Sequence, residues 1–419
     1  MTEQLITEYS RTAEEYRRKA IEVLNKKREG SSANTRTQED TATIHDLLVD
    51  SMLRKPLTAD QVLNTNNWKD LEKDIVVCSE DDACRIFERQ VPPFPILVGP
   101  LTRETGTIQD FLKSMDPATD VDVHDFSLDV SVHGRIPQRM KGNVAIKMFE
   151  DETRIDPVNF LNLHILEDNP LPSFLRNRKD YNILEFSHAE KRKRTSQQSA
   201  ADLDRWTSFQ LLASEGAVHL PHIDHHGMNT VVFNEEGHKM WLMWPGIGPD
   251  EISEVCGSRK HLQGGLPVYV PPRYMLWQPL GTLHAPITIT NCLMSGRMLV
   301  HSSQLLDTLK YTRAGIKDPD ITNEAFSRQM YERMTRTLHL WKKESNLTEA
   351  GQQTFAWPPP ESQKECEEIC KEQAVSAALK VANRAFVFDI TGPATRDAMM
   401  LARPTNVLIE EGYAPRKQF

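Results

Sequence analysis

HLPHIDHHGMNTVVFNEEGHKMWLMWP, residues 219–245, is the stretch that decides how this chain folds and what it binds. Its first eight residues contain four histidines and one aspartate, side chains that hold divalent metal ions in many proteins. A single lysine, Lys239, then stands before an apolar run that predicts a buried strand. This density of ligand-capable side chains ahead of one cation predicts a metal site.

One residue separates His222 from Asp224. On an extended strand, positions i and i+2 project from the same face, so both side chains can reach one cation. His284, in QPLGTLHAPITI (278–289), lies on a later predicted strand after a glycine turn and is the expected third ligand. Two histidines and one carboxylate leave three coordination positions open, an arrangement typical of non-haem Fe(II) oxygenases.

Lys239 predicts a second feature of the site, a bound anion. A lysine inside a buried strand is costly unless an anion meets its ammonium group. The residues that follow it, Met240 to Met243, are apolar and predict such a strand. We therefore expect a bound dicarboxylate beside the metal site.

The rest of the chain divides into a β centre and helical flanks. Residues 206–304 show short strand patterns separated by turn-forming residues and no helical period, which predicts a sandwich or small barrel. The alternating residues 120–134 predict an earlier strand. Helical periods occur at 1–29, at 43–55 after a linker (31–40), and again after a cap at Asn323. The predicted class is α+β, with a helical region 1–95, a β domain 96–305 and a helical region 306–419.

Composition narrows the class of protein further. The net charge of −9 argues against broad nucleic-acid binding, and no apolar window is long enough to span a membrane. The polar N-terminus lacks a secretory signal, so we expect a nuclear or cytoplasmic protein that is not secreted, with reduced cysteines. The tract KRKR (191–194) has two interpretations, a nuclear-import or phosphate-contacting patch and a solvated loop.

In order and spacing, His222-x-Asp224, Gly227, Lys239 in KMWLMWP (239–245) and His284 in GTLHAPI (281–287) resemble the JmjC branch of the 2-oxoglutarate-dependent dioxygenases. The resemblance covers about residues 157–304. It implies a double-stranded β-helix (a cupin-like jelly roll) in which His222, Asp224 and His284 hold Fe(II). It also implies 2-oxoglutarate as cosubstrate, with Lys239 on its distal carboxylate, and O2-dependent hydroxylation of a protein side chain. On an N-methyl-lysine, for example in a histone, that reaction is demethylation.

One position departs from the family pattern. Many members carry a hydroxyl residue, often threonine, three positions before the first metal histidine, where it bonds the distal carboxylate; this chain has His219 there. A histidine can donate a hydrogen bond to a carboxylate, so His219 is expected to contact the cosubstrate. His225, His226, His238 and His301 are assigned no role.

Two alternatives stay open at this point. The chain is consistent with a catalytically silent JmjC scaffold that binds protein partners of a chromatin-type complex through its helical flanks. It is also consistent with a cupin that uses another divalent metal for non-oxidative chemistry, although such an enzyme has no need of Lys239. The cysteines lack the clustered pairs of a chromatin-reading zinc module, so the substrate is not indicated.

Overall fold

The computed structural model describes residues 3–135, 137–163, 171–186, 207–257, 262–318, 321–322, 328–345 and 354–372. Within these ranges the protein is mixed α/β, with a large, mainly antiparallel sheet and helical flanks. The α-helices of these ranges include α1 (Glu3–Gly30), α2 (Arg36–Val49), α3 (Ala59–Leu63), α4 (Glu80–Arg89), α5 (Ile108–Ser114), α6 (Val130–His133), α7 (Gly142–Glu150), α8 (Ser173–Arg176), α9 (Ile183–Phe186), α10 (Ile252–Gly257), α11 (Leu305–Lys317) and α12 (Arg328–Ser345). Residues 362–372 are also helical. No helix in the described ranges is both long enough and apolar enough to cross a bilayer.

Twelve strands are present in the described ranges: β1 (Val76–Cys78), β2 (Ile96–Val98), β3 (Asp120–Asp125), β4 (Gln138–Lys141), β5 (Val158–Leu163), β6 (Ser208–Ala213), β7 (Asn229–Glu236), β8 (Lys239–Trp244), β9 (Leu266–Val270), β10 (Met275–Gln278), β11 (Leu283–Thr288) and β12 (Cys292–Leu299). Nine form one sheet in the order β1-β2-β10-β7-β12-β6-β5-β3-β4. The other three form a second sheet in the order β11-β8-β9. Only the β1–β2 pairing among these is parallel.

The segment between β6 and β7 extends the three-stranded sheet past β11. Val218 bridges Ile287, and His222 bridges His284, both in antiparallel orientation. The chain from β6 to β12 therefore passes repeatedly between the two sheets. Both sheets contribute to one buried apolar cluster, which includes Val232 from the large sheet and Leu242 from the small one.

The N-terminal helices pack directly on this β centre. α1 buries the apolar stripe that its period predicts, including Tyr9, Ala13 and Leu24. The Tyr9 hydroxyl donates to the Tyr269 carbonyl oxygen of β9 (3.1 Å), which ties the helix to the small sheet. Burial of an apolar stripe accounts for most of the stability of such a helix.

Several predicted elements are confirmed. α1 (Glu3–Gly30) matches the described part of the predicted helix 1–29, and seven strands, β6 to β12, fall within 206–304. α12 matches the helical period after 323, although the proposed cap Asn323 lies outside the described residues. The KRKR tract (191–194) and the chain beyond 372 lie outside them as well.

Other boundaries were wrong for local reasons. The predicted linker 31–40 contains the start of α2, because the Thr35 side chain accepts a hydrogen bond from the Gln38 amide and caps the helix there. The predicted strand 120–134 ends at Asp125, and an Asp129-capped turn forms α6 instead. The β centre is interrupted by the short helix α10, which the alternation of 206–304 does not reveal. β1 lies in the mainly helical N-terminal region and pairs with β2.

Candidate metal centre

His222 and His284 face each other across an antiparallel bridge at the edge of the small sheet. The His222 amide donates to the His284 carbonyl oxygen (3.0 Å), and the His284 amide donates to the His222 carbonyl oxygen (2.9 Å). Their ring centroids lie 4.5 Å apart. Asp224 follows with extended backbone (φ −62°, ψ 167°), as the strand prediction for His222-x-Asp224 requires.

These three side chains converge. One ligand atom from each of His222, Asp224 and His284 lies within 4.8 Å of the others, and Asp224 Oδ1 is 3.6 Å from His284 Nε2. Both histidines are buried and the aspartate is partly buried. In the part of the chain that the structure describes, no other group of three histidine, cysteine or acidic side chains is this close.

Hydrogen bonds fix the orientation of the three side chains. His222 Nδ1 lies 2.8 Å from the Leu220 carbonyl oxygen, and His284 Nδ1 lies 3.0 Å from the Thr282 carbonyl oxygen. A carbonyl oxygen only accepts, so each Nδ1 carries the proton and each Nε2 keeps its lone pair for a cation. The Thr230 hydroxyl donates to Asp224 Oδ2 (2.6 Å), which fixes the carboxylate. The residues therefore fit a bound divalent ion.

Two glycine turns and one tyrosine hold the ligand loops together. Gly227 and Gly281 both have positive φ (63° and 67°), and the Gly281 amide donates to the Gly227 carbonyl oxygen (2.8 Å). A Cβ at Gly281 would lie 2.0 Å from Tyr311 Cζ, and one at Gly227 would lie 2.6 Å from Tyr311 Cβ. Tyr311 of α11 thus packs where both turns lack a side chain, and only glycine suits these positions.

Gly281→Ala should destabilise the protein by about 2–4 kcal/mol, because alanine at positive φ is strained and its methyl group overlaps the Tyr311 ring. Urea denaturation at equilibrium measures this difference. Gly248→Ala is the matched control, since nothing lies within 4 Å of its Cβ position and its φ is not in the left-handed region. Equal stabilities of the two variants would contradict this account of the turn.

Lys239 lies on the same side of the small sheet as His284, the predicted metal ligand. In the β8–β11 pairing, Lys239 is opposite Thr288, Trp241 is opposite Pro286, and Met243 is opposite His284. Alternate residues of a strand share a face, so the side chains of Lys239, Trp241, Thr288 and His284 project to one side. The predicted metal ligand and the predicted anion-binding lysine are thereby brought to the same side of one sheet.

Lys239 is buried among side chains that do not neutralise its charge. The residue is 3% exposed, and no carboxylate of the described residues lies within 4.0 Å of its Nζ. Burial lowers the pKa of Lys239, an effect that nearby Cys292 partly opposes. Thr288 Oγ1 and Trp241 Nε1 are also buried and have no hydrogen-bond partner among the described residues. Buried polar atoms are normally hydrogen-bonded, so this group requires a ligand or water.

His219 is engaged by other protein groups. Its Nε2 lies within hydrogen-bond distance of Asn159 Nδ2, its ring centroid is 5.0 Å from that of His124, and its amide donates to the Pro286 carbonyl oxygen (3.3 Å). Burial, followed by the charges of His124 and Arg36, lowers the pKa of His219 well below its usual range. The ring is therefore neutral near pH 7, and its contact with a cosubstrate stays a prediction.

The remaining histidines lie outside the ligand group. His225 and His226 are buried in a 3-10 turn (His225–Gly227), and the ring nitrogens of His238 meet the hydroxyls of Tyr16 and Tyr269. His301 caps the turn that precedes α11. None of the four belongs to the cluster formed by His222, Asp224 and His284.

Four polar residues around the site were given no chemical role from the sequence: Thr230, Thr288, Asn159 and His124. The two-residue period of β11 placed Thr288 on the His284 face and was available as a signal. Thr230 stood close to Asp224 in sequence, but only the fold shows its hydrogen bond. Asn159 lies on β5 and His124 on β3, both far from the ligand residues in the chain. The residues next to them in sequence do not indicate that they lie beside the site.

The arrangement can hold one divalent cation with open coordination positions and can bind an anion on the same side of the sheet.

A scan of protein-family models gives no match to this chain, and a comparison with curated proteins gives none either.

Proposed function

We propose that this protein is an Fe(II)- and 2-oxoglutarate-dependent oxygenase of the JmjC type that acts on a protein substrate. The observation that carries the proposal is the placement of His284 and Lys239 on one face of one sheet. His284 belongs to a facial set of two histidines and one carboxylate. Lys239 is a buried cation with no carboxylate in reach among the described residues.

The strand order supports a double-stranded β-helix. Along the chain, β6 lies in the large sheet, 217–222 beside the small sheet, β7 in the large, β8 and β9 in the small, β10 in the large, β11 in the small and β12 in the large. This alternation is what a jelly roll requires, with four strands on each side of a shared interior. The proposed interior contains both the metal cluster and Lys239.

Each residue has a defined part in the proposed reaction. His222, Asp224 and His284 would hold the metal, and Thr230 keeps the carboxylate of Asp224 in place. Lys239 and Thr288 would bind the distal carboxylate of 2-oxoglutarate. When bound, Fe(II) and 2-oxoglutarate supply O2-dependent hydroxylation of a C–H bond, with succinate and CO2 as coproducts. Lys239 is only 3% exposed, and this burial would strengthen its electrostatic contact with the carboxylate.

The proposed substrate class is a peptide or protein side chain. Hydroxylation of an N-methyl group on lysine would release formaldehyde and give demethylation, as in a histone demethylase of the nucleus. Hydroxylation at another carbon would leave a stable alcohol. The helical flanks are proposed to contact the substrate protein or its partners.

The assay is succinate release from 2-oxoglutarate by the full chain with Fe(II) and a library of methyl-lysine and unmodified peptides. We expect turnover that depends on the metal, the cosubstrate and a peptide, and that is lost in His222→Ala. Mass spectrometry of the peptides distinguishes loss of a methyl group from gain of an oxygen. If no peptide supports turnover that depends on the metal and the cosubstrate, the catalytic proposal is wrong.

A silent scaffold is the second candidate, and one observation favours it. His219 stands where the family often has a hydroxyl residue, and Asn159 already occupies its Nε2. A folded protein that binds neither Fe(II) nor 2-oxoglutarate by calorimetry would support the scaffold. Tight binding of both would exclude it.

A further inference from the structure

His124 is a fully buried histidine on β3 that faces the interior of the β centre. It is 0% exposed and is the register partner of Asn159 on β5. Its sequence neighbour Val123 and the β5 residue Phe160 belong to a different apolar cluster, on the opposite face of the sheet. Asn159 in turn contacts His219, so His124 and Asn159 both project toward the side where His219 lies.

An arginine from the N-terminal region fixes the proton on this histidine. Arg36, at the start of α2, is 4% exposed, forms an ion pair with Asp40 (3.0 Å) and lies over the Phe126 ring. One guanidinium nitrogen of Arg36 is hydrogen-bonded to His124 Nδ1. A guanidinium group has donors and no acceptor, so Nδ1 must accept and the ring proton sits on Nε2. Burial, and then the charge of Arg36, lowers the pKa of His124, which keeps the ring neutral.

The resulting N–H donor has nothing to bond within the described protein. His124 Nε2 and Asn159 Oδ1 are both buried and have no hydrogen-bond partner among the described residues. The His124 ring packs edge-on against His219. His219 lies opposite Pro286 of β11, which in turn is opposite Trp241 on the Lys239 face of β8. A buried donor of fixed direction, packed against the face of the small sheet that carries a buried lysine, is suited to an anion.

We infer that His124 donates a hydrogen bond from Nε2 to the distal carboxylate of the diacid held by Lys239, and that Arg36 sets the tautomer which makes this possible. His124 would thus do the work of the hydroxyl residue whose place His219 takes. The inference rests on the proposed function, because the diacid is the proposed cosubstrate. It makes α2 a part of the cosubstrate site rather than only a flanking helix.

Binding to the full chain loaded with Mn(II) tests the inference, by calorimetry with two ligands. 2-Oxoglutarate has the distal carboxylate, and 2-oxobutyrate lacks it. His124→Phe keeps a ring and removes both nitrogens, so we expect it to bind 2-oxoglutarate about 10–100-fold more weakly, with 2-oxobutyrate binding unchanged. His124→Gln retains an N–H donor and should recover most of the affinity.

The outcomes separate the two proposals. Binding of 2-oxoglutarate to the wild-type chain and to His124→Phe with equal affinity would overturn this inference and leave the proposed function intact. Failure of the wild-type chain to bind 2-oxoglutarate at all would overturn both. An equal loss for both ligands would assign His124 a structural role and would also overturn the inference.

A second measurement needs no variant and serves if His124→Phe does not fold. Histidine-selective 15N labelling of the Zn(II)-loaded wild-type chain reports which ring nitrogen of His124 carries the proton. We expect the Nε2–H tautomer, with a shift of that 15N resonance when 2-oxoglutarate is added. A proton on Nδ1, or a His124 resonance indifferent to 2-oxoglutarate, would overturn the inference.

Discussion

Asp224→Asn should weaken binding of Co(II) by more than about 100-fold, because it removes the anionic ligand of the facial set and leaves two neutral histidines. Replacing a residue that hydrogen-bonds to a metal ligand commonly lowers metal affinity about 10–100-fold. The loss of a direct ligand should exceed that range. Calorimetric titration measures the affinity, and the visible absorption of Co(II) reports whether its coordination changes. The carboxamide has nearly the shape of the carboxylate, so the fold should survive.

Asp250→Asn is the matched control, since Asp250 is an exposed aspartate in the same β centre and is not part of the ligand group. Thr230→Val gives a graded comparison, because it removes only the hydrogen bond to Asp224 Oδ2 and should cost about 10–100-fold. Retention of wild-type Co(II) affinity in Asp224→Asn would show that the cluster is not a metal centre.

Lys239→Met should have two effects of opposite sign. The affinity of the Mn(II)-loaded protein for 2-oxoglutarate should fall at least about 30-fold, because a buried charge contact of this kind is worth 2 kcal/mol or more. In buffer without dicarboxylates, the stability of the metal-free protein should instead rise by about 1–3 kcal/mol, because methionine fills the space without a buried charge. Calorimetry and urea denaturation measure the two quantities separately.

The stability gain should also depend on pH in a definite direction. Burial lowers the pKa of Lys239, so the unfolded chain binds more protons than the folded chain between the lowered value and the ordinary lysine value. The wild-type protein therefore gains stability as the pH rises through that window, and the difference in unfolding free energy between Lys239→Met and the wild type becomes smaller. Lys113→Met replaces an exposed lysine and should change neither ligand affinity nor this pH dependence. A destabilised Lys239→Met with unchanged 2-oxoglutarate affinity would mean that Lys239 is only a structural residue.

Most of the candidate metal cluster was predictable from local sequence, for a simple physical reason. Two residues separated by one position on an extended segment share a face, so His222 and Asp224 had to point together once that segment was extended. The apolar run after Lys239 predicted burial, and a buried lysine demands an anion. His284 required one further assumption, that its strand pairs beside the His222 segment, and the observed bridge between the two residues meets that assumption.

The helix and strand boundaries were less predictable because capping decides them. Thr35 starts α2 inside a polar tract that resembled a linker, and Asp129 turns the chain into α6 where alternation suggested continued strand. In both cases one side chain satisfies a backbone amide and outweighs the pattern of apolar residues around it. The helix α10 was not predicted for a different reason: its 6 residues are too few to show a helical period.

The local sequence specifies the candidate ligands: two histidines and an aspartate at strand spacing, with one lysine on a buried strand. The side chains that surround them depend on how distant elements pack. Sheet pairing brings Asn159 and His124 beside His219, and packing of α2 on the sheet brings Arg36 to His124. Such contacts depend on strand order and helix docking across long stretches of chain, which the residues next to Asn159, His124 and Arg36 do not encode. A local pattern therefore specifies the ligands of the proposed metal, while the donors of the proposed anion site depend on how distant elements pack.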